Sequence, residues 1–426
     1  MKHLLVLTTL DVRGRRNNRE HHVIRELSRR FDRVTVVYRQ RGAAGRRLGA
    51  LIGSGRTQGS EDGVRYIGVD PPLNPPEGTV RALTRQEGRA GGMRRGLGLV
   101  LDTIAIARDE VSLRSLGHAA RKALRPGETT ICEAFGPWAV RAALPLRRDG
   151  RIAALVYVDR DYEPGFVTSP LRRGWAARHE RSAAAKADLT LSIGRRLAAR
   201  LNGIPGARVD LSPTGVDSAF FAGRPREEPR PRLIFVGRVA PWSGIEEALD
   251  ALALLRPDHP DARLEIFGPV ESLYRDRLAA RVGELGLASA VDWRGDRPRE
   301  EVAAALAEAG IGLATFRPHP LRLHAAPLKV LEYMASALPV IALEGSEAGD
   351  LVERSGAGLT TACSGAGIAA AVRRLIGEPQ LYRDCARAGP ATARAHDWGR
   401  ILAREFELIS TLLDSDPVPD RERVAT

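Results

Sequence analysis

Lysine is almost missing from this 426-residue chain. Lys2, Lys122, Lys186 and Lys329 are its only four, and the other 61 of 65 basic residues are arginine. Such a bias suits a GC-rich bacterial genome, and it makes a persisting lysine a candidate point charge for a phosphate. Cysteine is scarce as well. Cys132, Cys363 and Cys385 are odd in number and fit no metal or disulfide spacing, which predicts a reduced, cytoplasmic setting. No apolar run reaches the about 18 residues that would span a membrane. The apolar run at 4–7 is too short for a signal peptide and is soon followed by Asp11 and Arg13. Aromatics are only 5% of the chain and are not interleaved with the basic residues, which argues against a nucleic-acid-binding protein. The first loop holds Gly14 alone, without a G-x-G-x-x-G spacing, so a dinucleotide site is poorly supported.

What is present is length, charge asymmetry and a steady α/β alternation. The length predicts two domains of roughly 200 residues. Residues 1–221 carry a net +17 and residues 222–426 a net −4. The basic half predicts an anionic partner or an acidic membrane surface, or is simply solvated. A continuous apolar strand at 3–9, a polar loop from Asp11 to Asn18, a helix through Val23, Leu27 and Phe31, and a strand at 33–38 form a βαβ start. Residues 39–98 read as loops around a short strand at 64–67. The Arg-rich excursion at 81–98 is a candidate acceptor loop or lipid-facing surface. Helices at 100–123, 137–147, 172–187 and 194–201 alternate with strands at 129–132, 152–158, 189–192 and 209–211. The Pro-rich, charged stretch 223–232 is the predicted linker between domains 1–222 and 233–397. A helix at 398–413 and a disordered tail at 414–426 follow.

The most informative stretch is Pro327-Leu328-Lys329-Val330-Leu331-Glu332-Tyr333-Met334, followed by Pro339-Val340-Ile341-Ala342. Pro327 suits the start of a helix and Pro339 enforces its end, while Val330, Leu331, Met334 and Ala337 share one face. A helix start is an anion site, because its first N–H groups point outward unpaired. Lys329 adds a full charge in that first turn. Glu332, one turn on, has the acceptors for a diol such as a ribose. The bland alternative is a capped surface helix with an i,i+3 ion pair.

Phe235-Val236-Gly237-Arg238, Glu265-Ile266-Phe267-Gly268-Pro269, Trp293-Arg294-Gly295 and the stretch 327–342 occur in this order. Together with Thr214-Gly215-Val216-Asp217, they give a chain that resembles GT-B glycosyltransferases, closest to the family 4-like members of glycosyl transferases group 1. The resemblance implies two Rossmann-like, doubly wound α/β domains facing across a cleft, with helix 398–413 crossing back to the first. It implies a nucleotide-diphosphate sugar, UDP or GDP, as co-substrate, no further cofactor and no metal. By position, Arg238, Lys329 and Arg322 would hold the donor phosphates. Glu332, Gly268 and Arg297 would border the ribose and nucleobase. On the acceptor side stand Asn18, His21 and Asp161, with a small-molecule or lipid-linked, anionic acceptor and peripheral contact with the inner membrane face as implied partners.

Glu133, Asp159 and His324 are the catalytic candidates. Glu133 and Asp159 are read at the C-terminal ends of strands, where an open parallel sheet presents its chemistry. Either would act as base if the enzyme inverts, or orient the acceptor if it retains. Asp159-x-Asp161 also matches a metal motif of the other glycosyltransferase fold, in the wrong architectural context. His324 stands eight positions before Glu332, where the family has a second acid, and either bonds the transferring sugar or caps its loop. Ser243 stands where the family has a lysine. A sugar-nucleotide epimerase or hydrolase of the same fold is the alternative activity, and a basic nucleic-acid-binding protein is a more remote one.

Overall fold

The computed structural model describes residues 1–13, 19–40, 56–69 and 92–414. Asn18, residues 81–91 of the Arg-rich excursion and the tail from 415 lie outside the described residues.

Apolar runs buried on both faces build the first sheet. Its strands are β1 (Lys2–Thr8), β2 (Arg33–Arg39), β3 (Arg56–Glu61), β4 (Val64–Val69), β5 (Thr129–Phe135), β6 (Ala154–Asp159), β7 (Leu189–Ser192) and β8 (Val209–Leu211). Their order is β3-β4-β2-β1-β5-β6-β7-β8, parallel throughout except for β3 against β4. Chain direction across the sheet reverses between β1 and β5, the topological switch point of a doubly wound fold. Helices α1 (Arg19–Leu27), α2 (Gly92–Ala123), α3 (Pro137–Arg148), α4 (Pro170–Lys186) and α5 (Arg195–Leu201) accompany it.

The second sheet comprises β9 (Arg232–Val236), β10 (Arg263–Phe267), β11 (Val291–Gly295), β12 (Ile311–Ala314), β13 (Val340–Leu343) and β14 (Gly358–Thr361). Their order, β11-β10-β9-β12-β13-β14, is the Rossmann arrangement, with its switch point between β9 and β12. The helices are α6 (Ile245–Leu255), α7 (Ser272–Glu284), α8 (Arg299–Glu308), α9 (Pro320–His324), α10 (Leu328–Ala335), α11 (Glu347–Ser355), α12 (Gly365–Gly377), α13 (Pro379–Ala395) and α14 (Trp398–Asp414).

Contacts divide the chain into Met1–Ser212 with Leu402–Thr426, and Pro213–Ile401. The predicted boundary at 222 is therefore corrected to Ser212. The Pro-rich stretch is not a free linker, because its backbone and arginines are bonded to the second unit. Gly223 N donates to the Ala335 carbonyl at 3.0 Å, and Arg226 Nε to the Ala309 carbonyl at 3.1 Å. The turn at 214–217 also belongs there. Val216 N donates to the His396 carbonyl, Trp398 N to the Val216 carbonyl, and Gly215 lies flat on the Trp398 ring. Helix α14 starts in the second unit and belongs to the first from Leu402 onward. There Phe406 packs edge-on against Phe31 at 5.8 Å.

Candidate functional site

At the switch point of the second sheet, β9 and β12 pair only through Leu233–Ile311 and Ile234–Gly312 and then separate. Tyr333, fully buried on α10, fills the opening. Its hydroxyl accepts from Val236 N at 2.9 Å and donates to the Leu313 carbonyl at 3.4 Å, while its ring lies where a side chain on Gly312 would go. The wedge holds the start of α10 over the ends of β9 and β12. Pro327 provides no side-chain cap, so the amides of Leu328 and Lys329 have no intrahelical acceptor.

Three glycines edge this opening. Gly237 (φ +141°), Gly268 (φ +121°) and Gly295 (φ +70°) end β9, β10 and β11, joined by Gly237 N to the Phe267 carbonyl and Gly268 N to the Gly295 carbonyl. A Cβ on Gly268 would meet the Gly237 carbonyl at 2.1 Å, so only glycine fits there. A Cβ on Gly237 would lie 3.0 Å from Lys329 Nζ. Backbone without side chains thus faces the lysine.

Lys329 is 9% exposed, with Nζ 3.6 Å from the Phe235 ring centroid and 4.8 Å from that of Phe316. Burial lowers its pKa to about 7; Glu332 opposes the shift and Arg322 reinforces it. Half-buried Glu332 is pushed up to about 7 by burial, against the pull of Arg299 and Lys329. Its carboxylate accepts no hydrogen bond among the described residues. Arg299, on the first turn of α8, lies over the Phe220 ring at 4.3 Å and 3.8 Å from Asp217. The sequence assigns no role to Arg299, Phe235, Phe316 or Tyr333, because chain neighbours do not reveal what converges on a switch point.

Arg322, on α9, packs its guanidinium 3.5 Å above the Trp242 ring. Arg238 is exposed on the loop after β9. Arg297 is exposed too, its Nε bonded to the Arg294 carbonyl at 2.8 Å. His324 Nδ1 is 2.7 Å from the Pro320 carbonyl one helical turn back. Ser243 is 1% exposed and its hydroxyl is spent on Ala240, donating to the carbonyl at 2.7 Å. It therefore supplies nothing that a lysine at that position would.

The first unit treats its candidates differently. The expectation that Glu133 ends its strand is corrected: β5 continues to Phe135, and Glu133 is fully buried within it. A charged carboxylate would not survive there. Burial, and then Glu405 on α14, raise its pKa well above the ordinary value, while Arg19 opposes them. Glu405 accepts from Arg19 and Ser212, while both carboxyl oxygens of Glu133 are buried without a hydrogen-bond partner among the described residues. Glu133 is thus buried beside the Arg19–Glu405–Ser212 anchor of α14, away from solvent.

Asp159 does end β6, but it is fully buried and accepts from Ser192 Oγ at 2.9 Å and Tyr157 OH at 3.1 Å. Burial raises its pKa to about 6, and these two hydroxyls hold it back. Asp161 lies half-buried 3.9 Å from Arg160 Nε. His21 Nε2 is 2.8 Å from the Val12 carbonyl.

The two switch-point sheets match solved structures along nearly the whole chain. Sucrose-phosphate synthase from Thermosynechococcus elongatus superposes with a TM-score of 0.72 over 97% of this chain and 100% of that one, at 16% identity. Anabaena Alr3699/HepE in complex with UDP gives 0.67 over 96% and 100%, at 18% identity. The fold is GT-B. Residues 217–392, which hold the opening around Lys329, match the family Glycosyl transferases group 1. That match spans nearly all of the second unit, Pro213–Ile401. Glycogen synthase of Mycobacterium tuberculosis is 31% identical over 189 residues, which is 43% of this chain and 44% of the relative. The match thus spans less than half of that relative's length.

Proposed function

We infer that the chain is a glycosyltransferase that takes its sugar from a nucleoside diphosphate donor held by the group 1 domain. The observation that carries this reading is the pairing at the start of α10. Free helix amides and a buried lysine face side-chain-free glycine backbone, and Glu332 waits one turn away. A diphosphate fits the amides and Lys329 Nζ, and a ribose diol fits the Glu332 carboxylate. As the glycosidic bond breaks, negative charge grows on the leaving diphosphate. Fixed donors already aimed there stabilise it without reorganising and without requiring a metal. With Glu133 and Asp159 sealed in the first unit, the leaving phosphate is the natural acceptor of the incoming hydroxyl's proton, which favours a retaining course. The UDP complex of the Anabaena protein of the same fold supports a uridine donor.

The acceptor belongs to the first unit in this reading, which also proposes peripheral membrane contact there. Leu101 and Ile104 on α2, Phe166 and Leu171 are exposed, and a Ser169–Asp102 hydrogen bond brings the start of α4 beside Leu101. Exposed apolar side chains on a strongly basic half suit an anionic lipid surface.

The test is turnover of UDP-, GDP- and dTDP-sugars by the full chain, with and without acceptor extracts. Acceptor-dependent release of nucleoside diphosphate supports transfer. Turnover equally fast without acceptor would favour an epimerase or hydrolase instead.

A further inference from the structure

In a chain with only 5% aromatic residues, three rings gather at one place in the first unit. Trp138 and Trp175 stack with centroids 4.5 Å apart and planes 28° from parallel, and His179 meets both edge-on at 5.4 and 5.0 Å. The wall is pre-set. Gly136, at φ +84°, turns the chain out of β5 into α3, and Trp138 Nε1 donates to Glu163 Oε2 at 3.0 Å. A ring whose N–H is tied and whose face is stacked does not change rotamer to admit a ligand.

The two indoles line a cavity of about 140 Å³. Around it stand Thr9, just after β1; Arg39, at the end of β2; and Asp109 and Ser112 on α2. With Trp138 just after β5, the lining brackets the β1/β5 switch point at the carboxyl ends of the strands. Open α/β sheets bind their ligands at such places. The volume is close to the roughly 150 Å³ of a cavity known to take a single six-membered ring. The lining chemistry is two-sided: the two indoles with Val69, Leu113 and Leu116 for an apolar ring face, and hydroxyls, a carboxylate and a guanidinium for a rim of hydroxyls. Asp109 is held in place by Arg108 at 2.9 Å and Arg172 at 3.7 Å.

We propose that this cavity is a sugar subsite that takes one pyranose ring, its C–H face on the Trp138–Trp175 wall and its hydroxyls on Asp109, Arg39, Thr9 and Ser112. A lone isoprenoid or aryl group has no hydroxyls to meet that polar rim. That the bound ring is the acceptor of the transfer rests on the glycosyltransferase reading above; that the cavity binds a pyranose does not.

The test uses the full chain with methyl α-D-glucopyranoside, mannopyranoside and galactopyranoside as probes, and cyclohexanol as a ring without the hydroxyl rim. Saturation-transfer NMR reads the contacted protons, and tryptophan fluorescence reads affinity. UDP binding is measured in parallel by calorimetry. At least one pyranoside is expected to saturate, with the strongest transfer to the C–H protons of one face, and cyclohexanol is not. Trp175→Ala should weaken that affinity about tenfold, Trp175→Phe should restore most of it, and neither should move UDP affinity. Asp109→Asn should weaken pyranoside binding with the indole wall intact. Failure of all three pyranosides to saturate overturns the proposal, as does equal binding of cyclohexanol or indifference to both Trp175→Ala and Asp109→Asn. UDP binding without pyranoside binding sinks the subsite alone. Pyranoside binding without UDP binding sinks the donor reading and leaves the subsite standing.

Discussion

Lys329 shows at the scale of one residue why a scarce amino acid deserved weight. Burial under two phenylalanine rings holds its pKa near 7, so the free protein at pH 8 carries it largely neutral. An arriving diphosphate should restore the charge. Calorimetry of UDP binding at pH 8 in buffers of different ionisation enthalpy should then show uptake of about one proton, and Lys329→Met should abolish it. Glu332 is mostly ionised at that pH and contributes little. The same variant should lose about 2–4 kcal/mol of transition-state stabilisation in kcat/KM. Pro327, Lys329 and Glu332 were legible because helix spacing fixes their relation within one turn. The indole pair at Trp138 and Trp175 was not, since 37 positions separate its members and only the packing of α3 on α4 joins them.

Secondary-structure elements explain how those residues are held. The Tyr333 hydroxyl substitutes for the ladder that β9 and β12 stop making, so Tyr333→Phe should orphan Val236 N. Urea unfolding should show a loss of about 1–3 kcal/mol, with weaker UDP binding as α10 settles differently. Helix α14 is anchored through Glu405, which accepts from Arg19 and Ser212, with buried Glu133 beside it. Glu133 faces Glu405 and Arg19, with Glu20 nearby. Its folded pKa lies above the unfolded one, so above the ordinary glutamate range the unfolded state binds fewer protons than the folded state. Stability therefore falls as pH rises, until the folded pKa is passed. Glu133→Gln should remove that slope: urea unfolding should find it near wild type at pH 4 and more stable at pH 8.

Most strands and long helices could be read from apolar runs. The exceptions have physical causes. The glutamate inside β5 suggests a strand end because the sequence shows its charge and not its burial. Helix α13 is not announced by its sequence, because Pro390 sits inside it. The neighbouring Gly389 lets that helix approach Met334 on α10, where a Cβ would come within 2.8 Å of backbone. Contact between helices overrode the local breaker.

On the scale of the molecule, the charge is divided between halves: a net +17 over residues 1–221 against −4 over the rest. The exposed Leu101, Ile104, Phe166 and Leu171 lie in the basic half. Sedimentation with vesicles should therefore show binding to phosphatidylglycerol-containing membranes and not to pure phosphatidylcholine. The binding should weaken as salt rises past about 0.3 M, and Ile104→Ser with Phe166→Ser should reduce it. The two-domain α/β plan was legible from alternation and length. The domain boundary was not, because a Pro-rich stretch looks like a linker whether or not its backbone is bonded to one side. The measurement that bears most directly on the account is a crystal structure of the full chain with UDP. It should place the diphosphate on the amides of Leu328 and Lys329, with Lys329 Nζ in contact and the ribose hydroxyls on Glu332. A nucleotide bound away from the start of α10 would contradict it.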